Sequence, residues 1–534
     1  MSLYRIGSSL LRLPGGGGVW RPPDAATGLT WPQHSPAYLP VIPGLSGYGM
    51  DTAGGTGRHL TPGNEATRIF LIDSLEDANS GSARPELGTN IYSGTFEYCW
   101  RAVTDPALLG KIMMPIISGW CPTNNSIPGM QGTAPVGSNA TFWGHVAPLP
   151  GFFLRGTRPV INGTSHFVVM GMRSYMGDEA GLSGDSRDCF GAGYGGGTTT
   201  HIVLIGNEFA WSVDEIVDFL RPCSVVSWVY NAFINPLHVS DVLHPGDPPG
   251  TDHGFGPLNG GDTTQPGTFS CFRNVFAHGT GRNPATTATG FCHANNWHYN
   301  HGRPAVGAGE AVDIWSQFTT EAMLANVLWN VFQRGPNNNS SLIGVRTRSG
   351  APAGTEGFMS GNMQLGWSAA SQADMLNDGI GTWLQGSLRS GAIPSSWGGE
   401  AGVLQWAVDP YNPTADEVAA IIALMEASTG AQPNARSTTY GKVQKAWDQI
   451  RARSLGGSTS NQFINTISDD GDFTVPEVLI DPTDPGDTWY EPPPFGAGRD
   501  TPYAFGTFRN GLSREGRSPL EVWAIEEYWR RGGK

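Results

Sequence analysis

The stretch HIVLIGNEF, residues 201–209, is a short apolar run that ends in Gly, Asn and an aromatic residue. Segments of the same form are HFVVMGMRSY (166–175), VVSWVYNAF (225–233), TFSCFRNVF (268–276) and MLANVLWNVF (323–332). Short runs of β-branched and aromatic residues separated by Gly, Asn and Asp predict β-strands. Because the segments recur at irregular intervals, they predict successive turns of a solenoid that carries insertions of different length.

The ends of these segments define equivalent positions along the predicted solenoid. In a stack of turns, equivalent asparagines can hydrogen-bond in a ladder and equivalent aromatic rings can stack. A propeller needs four strands per repeat and an immunoglobulin-like sandwich needs hairpins, and the sequence shows neither signal. We therefore predict an all-β fold, a right-handed parallel β-helix with a C-terminal helical extension. The positions that we align are Arg173/Tyr175, Asn207/Phe209, Asn231/Phe233, Asn274/Phe276 and Asn330/Phe332, with Asn296 fitting loosely between the last two.

Three regions are predicted along the chain. Residues 1–38 are rich in Gly, Pro and Trp without periodicity, and we expect an irregular N-terminal arm. Residues 39–410 hold the solenoid with its long loops, and residues 411–534 are expected to form a helical hairpin and a tail packed on it. Helix starts are indicated by Thr414 with a Glu three residues later and by Ser518 with Pro at the next position.

Composition and charge limit the classes of function. A net charge of −14 argues against a nucleic-acid partner, which favours basic patches. No apolar run reaches the length of a membrane span, and Arg12 interrupts the short leucine-containing run near the N-terminus. We therefore expect neither membrane insertion nor a signal peptide. The six cysteines contain no CxxC pair and are expected to be reduced and buried.

Several motifs resemble, in the same order, those of the bacterial pectate lyases, the first family of polysaccharide lyases. IPGLSGYGMDTAGG (42–55) is similar to the family's FPGAEGFG…TGG signature, and SLEDANSGS with GTFEYCWRAV (74–103) is similar to NLNDSG…GSLREAV. The resemblance implies the same parallel β-helix. Segments that resemble the family's successive core strands are KIMMPIISG (111–119), ATFWGHVAPLPGFFLRG (140–156) and HFVVMGMRSYMGD (166–178).

The resemblance implies cleavage of polyuronates by β-elimination with the help of calcium. The proton to be removed lies beside a carboxylate, so developing charge must be stabilised, and a hard cation on oxygen ligands can do this. Asp214 and Asp218 in WSVDEIVDF match the family's calcium pair, and Asp188 matches the aspartate of the neighbouring turn. Glu215 and Asp185 are further ligands or bystanders. From the residues alone, the alternative is that these acids lie in solvated loops.

Arg282, in RNP, matches the arginine that the family uses to abstract the proton. Arginine is rarely deprotonated in proteins, so the alternative is an ion-pair anchor for this turn. Two features depart from the family. Its second basic residue is replaced by ATT (285–287), and no lysine occurs between Lys111 and Lys442, where the family uses one to hold the substrate carboxylate.

Histidines are present where that lysine is expected, in HVSDVLHPGDPPGTDHGFG. Because histidine changes charge near neutral pH, we predict that His244 and His253 act with Arg282 in catalysis. We assign His238, His278 and Trp211 to substrate binding. The alternative for lone histidines in a Gly-rich loop is the capping of turns.

Two functions follow from these observations. The first is an enzyme that recognises and cleaves an acidic extracellular polysaccharide by calcium-assisted β-elimination. The second is a non-catalytic carbohydrate-binding or structural protein that keeps the scaffold but lacks the basic pair. A glycan-directed solenoid without a signal peptide also resembles a phage tail spike. That resemblance implies a virion tail location, contacts with other virion proteins through the N-terminal arm, and a homotrimer. A secreted, extracellular lyase is the alternative.

Overall fold

The computed structural model describes residues 39–43, 45, 47–56, 67–76, 90–101, 110–122, 138–178, 187–193, 198–220, 223–240, 248, 251, 253–260, 265–302, 310–315, 320–338, 343–379, 388–389, 392–394, 405–406, 409–433, 439–454, 463–481, 489, 491, 493–496 and 498–533, and the backbone of 3–6 and 9–12. Within these residues three long sheets of mainly parallel strands run side by side. The predicted parallel β-helix is therefore confirmed.

Each complete coil of the helix contributes one strand to each of three sheets, which we name sheets 1, 2 and 3. One coil consists of Thr199–Ile205 in sheet 1, Glu208–Ala210 in sheet 2 and Asp218–Phe219 in sheet 3. Its strands pair in parallel with those of the next coil. The turn from sheet 1 to sheet 2 holds only two residues, whereas the connections on either side of sheet 3 are long and variable.

The strands are short, as expected for a solenoid in which every strand pairs with the coils above and below. The eleven strands of sheet 1 are Ile91–Thr95, Thr67–Ser74, Gly110–Pro115, Ala140–Trp143, Ser165–Met170, Thr199–Ile205, Cys223–Val229, Gln265–Phe272, Ala288–Ala294, Leu324–Leu328 and Glu356–Ser360. The parallel strands of sheet 2 are Ile117–Pro122, Phe152–Arg155, Arg173–Tyr175, Glu208–Ala210, Ala232–Ile234, Val275–Ala277, Trp297–Tyr299, Val331–Gln333 and Met363–Leu365, and Val478–Leu479 joins the first of them antiparallel. Sheet 3 holds Val160–Ile161, Gly191–Ala192, Asp218–Phe219, Leu258–Asn259, Ala285–Thr286, Glu310–Ile314, Ile343–Thr347 and Leu376–Asp378.

The two-residue turns carry the predicted asparagine ladder, which also includes Asn296 and extends to Asn362. Each side-chain Nδ2 donates to the Oδ1 of the asparagine in the next coil. The distances are 2.9 Å for Asn207–Asn231, 3.0 Å for Asn231–Asn274, 2.9 Å for Asn274–Asn296, 3.0 Å for Asn296–Asn330 and 2.9 Å for Asn330–Asn362. Because these side chains are buried, each depends on its neighbours for its hydrogen bonds.

An aromatic stack runs parallel to this ladder in the interior. Phe233 stacks on Phe209 at a centroid distance of 5.7 Å and on Phe276 at 5.1 Å. His298 continues the stack 4.9 Å beyond Phe276 and 5.0 Å before Phe332. The predicted stacking is confirmed, and a neutral histidine takes the place of a phenylalanine in one coil.

One predicted equivalence is wrong. Arg173 pairs in register with Glu208, so Met172, not Arg173, is the equivalent of Asn207. The turn glycine sets this register, since Gly171 and Gly206 both adopt positive φ angles, 68° and 58°. The Arg173 guanidinium is not part of the ladder and donates through Nε to Glu208 Oε2 at 3.2 Å.

Helices cover part of the solenoid surface. Ala415–Glu426 begins with the predicted capping box at Thr414, and Pro519–Arg530 begins with the Ser518 hydroxyl accepting a hydrogen bond from the backbone of Glu521. Both predicted caps are confirmed. Val443–Ser454 packs on sheet 2, where Trp447 contacts Trp297 at 6.0 Å. The other helices within the described residues are Phe96–Arg101, Gly144–Val146, Ala373–Met375 and Ile467–Asp470.

Other predictions concern the termini and the cysteines. The arm is not wholly irregular, because Leu3–Ile6 pairs antiparallel with Ser9–Arg12. All six cysteines are free and buried, as predicted. None of the helices formed by the described residues has the length and apolar character of a membrane span.

Candidate functional site

The acidic residues predicted to bind a cation lie where the chain passes from sheet 2 into sheet 3. Asp214 lies in the connection between Glu208–Ala210 and Asp218–Phe219, and Asp218 opens the latter strand. Asp188 lies in the preceding coil, just before Gly191–Ala192. Because Gly191 pairs with Asp218 in register, adjacent coils place these acids on one side of the solenoid.

Three carboxylates converge at this point. Asp188, Asp214 and Glu215 each offer an oxygen, and these atoms all lie within 4.8 Å of one another. Two oxygens on opposite sides of a Ca²⁺ ion are separated by about 4.8 Å, because each lies about 2.4 Å from the ion. The spacing and the all-oxygen donor set therefore fit a hard divalent cation. Glu215 completes this trio, rather than the predicted Asp218.

Burial makes the charge of this cluster costly. Asp188 is buried, and its Oδ2 accepts a hydrogen bond from Arg158 Nη1 at 2.5 Å. Burial raises the pKa of Asp188 well above its ordinary value, Arg158 opposes that rise, and Asp218 and Asp214 add to it. Asp218 thus lies near enough to act on Asp188 electrostatically, although it is outside the converging trio.

The arginines balance only part of the negative charge. Arg158 contacts Asp188, and Arg282 contacts Glu215. Together with Asp214 and Asp218, Asp188 and Glu215 form four neighbouring carboxylates, which we call the acidic cluster. When all four carboxylates are ionised, the two guanidinium groups leave an excess of two negative charges. A divalent cation would neutralise that excess.

Arg282 lies at the edge of the acidic cluster, two coils beyond Asp218. Its backbone adopts a left-handed conformation with φ of 58°. Its guanidinium lies over two aromatic rings, with the Cζ atom 4.0 Å from the centroid of Phe255 and 5.0 Å from that of Trp315. The side chain is 25% exposed, so part of it faces solvent while Glu215 and the rings fix its direction.

Two of the predicted histidines lie near this region. His253 Nδ1 is 3.7 Å from Asp214 Oδ1, and the ring contacts Phe255. His238 stacks on Phe463 with centroids 4.9 Å apart. His253 therefore lies beside Asp214, whereas the ring of His238 packs against the C-terminal region. His244 and Asp185 lie outside the described residues.

The assignments of His278 and Trp211 to substrate binding are wrong. His278 is 1% exposed, and its ring lies 2.9 Å from Gln449 Oε1. Burial lowers the pKa of His278 to about 4, so it is neutral at physiological pH. Trp211 is fully buried, and its indole donates to Asp470 at 2.8 Å. Both side chains attach the C-terminal region to sheet 2 and are inaccessible to a sugar.

Sequence reasoning missed a second group of charged residues on sheet 3. Asp313 is fully buried and accepts hydrogen bonds from Arg346 and Arg348, whose Nη2 atoms both lie 2.6 Å from Asp313 Oδ2. Trp315 lies between Arg282 and Arg348. No motif marks these residues, and only the strand register shows that they follow Arg282 along the same face.

No protein-family model matches the sequence, and no curated protein matches it. Similar solved structures include jun a 1, the major allergen from cedar pollen, at 12% identity and a TM-score of 0.40, covering 66% of this chain and 87% of that chain. Pectate lyase pelN from Paenibacillus sp. 0602 has 12% identity and a TM-score of 0.40, covering 74% and 97%.

A third similar structure is pectate lyase Bsp165PelA from Bacillus sp. N165 in complex with trigalacturonate. It has 13% identity and a TM-score of 0.36, covering 59% of this chain and 88% of that chain. Similarities of this size carry no argument about the function of this chain. The three sheets therefore define the fold, and the positions of the acidic cluster and Arg282 define the candidate site.

Proposed function

We propose that the protein binds an acidic polysaccharide along the outer face of sheet 3 and cleaves it by β-elimination, with Ca²⁺ held by the acidic cluster. The observation that carries this proposal is the convergence of Asp188, Asp214 and Glu215 within 4.8 Å, beside Arg282. The order of the lyase-like motifs in the sequence supports it. When bound, the cation would stabilise the negative charge that develops next to the sugar carboxylate.

The acidic residues have distinct roles in this proposal. Asp188, Asp214 and Asp218 are the predicted ligands, and Glu215 joins them because its oxygen lies within the converging trio. A carboxylate has two oxygens, so Glu215 can contact Arg282 with one and the cation with the other. Arg158 holds Asp188 in place and reduces its excess charge.

Arg282 is the proposed proton acceptor. Its guanidinium lies at the edge of the acidic cluster and is partly exposed, so a sugar lying on sheet 3 can meet it. Losing a proton is costly for arginine, so this role requires surroundings that disfavour additional positive charge. A bound cation nearby would supply that condition. His253, whose Nδ1 lies 3.7 Å from Asp214 Oδ1, is the second candidate for proton transfer, together with His244.

The test is to identify the chain ends that appear when the protein is incubated with polyuronates. Elimination leaves an unsaturated sugar at the new end, whereas hydrolysis adds water, and mass spectrometry separates the two. We expect unsaturated products from the unaltered protein and none from Arg282→Ala. A matched control is Arg155→Ala, since Arg155 also pairs with an acid and lies over a tryptophan, but on sheet 2. Hydrolysis products would contradict the proposal.

A second candidate function is carbohydrate binding without cleavage. Residues 285–287, where the lyase-like pattern has a second base, are Ala, Thr and Thr, and they are buried. Arg282 also contacts Glu215, which favours the anchoring role for this side chain. Measurable binding of polyuronates without new chain ends, over a broad panel of glycans, would favour this function.

We also infer from the sequence a place on a virion tail, with the N-terminal arm joining other virion proteins and a homotrimeric assembly. A secreted enzyme is the alternative. The assembly prediction is checked by light scattering coupled to size-exclusion chromatography, where a trimer supports the tail-spike interpretation and a monomer contradicts it.

A further inference from the structure

The outer face of sheet 3 continues for several coils beyond Arg282. Ala285 pairs in register with Asp313, and Asp313 pairs with Arg346. Adjacent coils are separated by roughly 4.8 Å, so Arg346 follows Ala285 by roughly 10 Å along the axis. Ile314 belongs to the interior core, so its neighbours Asp313 and Trp315 lie on the outer side.

Arginine and tryptophan side chains alternate along this face. Trp315 lies between two guanidinium groups, with its ring centroid 5.0 Å from Arg282 Cζ and 5.1 Å from Arg348 Cζ. The indole Nε1 donates to Asp313 Oδ2 at 2.7 Å, which fixes the plane of the ring. The ring also packs with Leu258 and Ala285. The two guanidinium groups and the indole ring therefore form a continuous row from Arg282 to Arg348.

Asp313 holds the two downstream arginines in position. Its Oδ1 accepts from Arg346 Nε at 3.2 Å and from Arg348 Nε at 3.3 Å, in addition to the shorter bonds to Oδ2. Asp313 thus balances one of the two positive charges, and Glu310, whose Oε1 lies 2.5 Å from Arg346 Nη2, balances the other when it is ionised. The side chains are still 25% and 34% exposed, so both can be reached from solvent. Their orientation is fixed before any ligand binds, which lowers the entropic cost of binding.

We propose that Arg346, Arg348 and Trp315 form a second subsite, which binds a carboxylate of the same polysaccharide chain downstream of Arg282. This inference rests on the proposed function of the acidic cluster. A guanidinium group recognises a carboxylate through paired donors, and a polyuronate chain along the solenoid axis brings one carboxylate per sugar over this face. The sequence has no lysine between Lys111 and Lys442, so arginines must supply the positive charge here.

The test compares the binding of short and long probes. Digalacturonate and hexagalacturonate, and the corresponding mannuronates, are titrated calorimetrically into the full chain and into Arg346→Ala, Arg348→Ala and Arg155→Ala. We expect the hexamer to bind the unaltered protein more tightly than the dimer. Arg348→Ala should weaken hexamer binding about tenfold, because a charged hydrogen bond is lost, and should leave dimer binding unchanged. Arg155→Ala should change neither.

Several results would overturn the subsite. Equal hexamer affinity in the unaltered protein and both sheet 3 variants would do so, as would the failure of either hexamer to bind the unaltered protein. Arg348→Lys keeps the charge and should recover part of the affinity, and thermal unfolding of each variant separates lost binding from lost folding. Hexamer binding that depends on Arg348 without chain cleavage would refute the lyase but support the subsite, whereas cleavage that is indifferent to Arg348 would do the reverse.

Discussion

Each coil has two contrasting parts. The turns between sheets 1 and 2, which we call the repeated side, carry the same residue in successive coils. The connections that flank sheet 3, which we call the variable side, carry different residues in successive coils. Every short turn from Asn207 to Asn362 carries an asparagine, and each satisfies the next. At the two ends of the sheet 3 strands, successive coils present different residues, among them Asp214 and Arg282 before a strand and Trp315 after one. The stacked asparagines form hydrogen bonds with one another and stabilise the fold. The different residues beside sheet 3 place several chemical groups next to one another, and such a surface can recognise a ligand.

The largest expected effect comes from the variable side. Replacing Arg282 by Ala should reduce the rate of elimination by roughly a thousandfold, since general base catalysis contributes about 10²–10⁴-fold. With Ca²⁺ bound to balance Glu215, the free energy of unfolding should fall by no more than about 1 kcal/mol, because the Arg282 side chain is partly exposed and lies outside the ladder. Steady-state kinetics measures the rate of elimination, and urea denaturation measures the free energy of unfolding. If Arg282→Ala is strongly destabilised but its folded form eliminates at the unaltered rate, Arg282 has a structural role and the proposed contrast between the two sides is contradicted.

Asn274→Ala should produce the opposite pattern. Asn274 Oδ1 accepts from the backbone and side chain of Asn231, and Nδ2 donates to Trp228 O and Asn296 Oδ1. Removing the amide leaves buried partners unsatisfied, so we expect a loss of about 3 kcal/mol in the free energy of unfolding. The exposed Asn377→Ala is the control. Urea denaturation gives both values, and a loss below about 1 kcal/mol for Asn274→Ala would contradict the role of the ladder.

Calcium bound to the acidic cluster should increase the stability of the folded protein. A ligand that binds only the folded state at a hundred times its dissociation constant adds about 2.7 kcal/mol to the free energy of unfolding. We expect Ca²⁺ to raise the melting temperature of the unaltered protein and to have no such effect on Asp214→Asn. Asp409→Asn, an exposed acid elsewhere, should respond like the unaltered protein. Equal shifts in all three proteins would place the cation elsewhere.

The smallest expected effect is a pH dependence of polyuronate binding at the second subsite. Burial and the neighbouring Asp313 raise the pKa of Glu310 to about 7, while Arg346 and Arg348 oppose that rise. As pH falls through about 7, Glu310 takes up a proton and ceases to compete for Arg346, which it contacts at 2.5 Å. Hexamer affinity should therefore increase severalfold from pH 8 to pH 6, within the roughly tenfold that one charged contact contributes.

Glu310→Gln tests this assignment, because the amide cannot titrate and should bind tightly across the whole range. In the adjacent coil, Gly281 lies close to the Glu310 carboxylate, and Arg282 is the next residue along the chain. Calorimetric titration at several pH values gives the comparison. An unchanged pH dependence in Glu310→Gln would assign the titration to another group.

The repeated side of the molecule was predictable from the sequence, and the reason is physical. A buried asparagine in a two-residue turn must meet an equivalent partner, so the pattern of Asn207, Asn231 and Asn274 predicts the stack itself. The error at Arg173 arose because its segment lacks the asparagine that would reveal the register. The turn glycine at Gly171 was the better guide.

The variable side was predictable only in part. Asp188, Asp214 and Arg282 were found through motifs that resemble those of the pectate lyases, and the structure brings them to one place. Trp211 and His278 were misassigned because their burial depends on the distant helical region, which no local pattern reports. Arg346 and Arg348 were missed because their placement follows from strand register over several coils, not from spacing within one motif.

The central claim is that elimination depends on a cation at the converging carboxylates of Asp188, Asp214 and Glu215. The most direct measurement is the ultraviolet absorbance of the unsaturated product, followed over a series of free Ca²⁺ concentrations buffered by a chelator. The account predicts a rate that rises to saturation with Ca²⁺, vanishes in excess chelator and returns when Ca²⁺ is restored. A rate that is the same in excess chelator, or the absence of unsaturated product at every Ca²⁺ concentration, would contradict it.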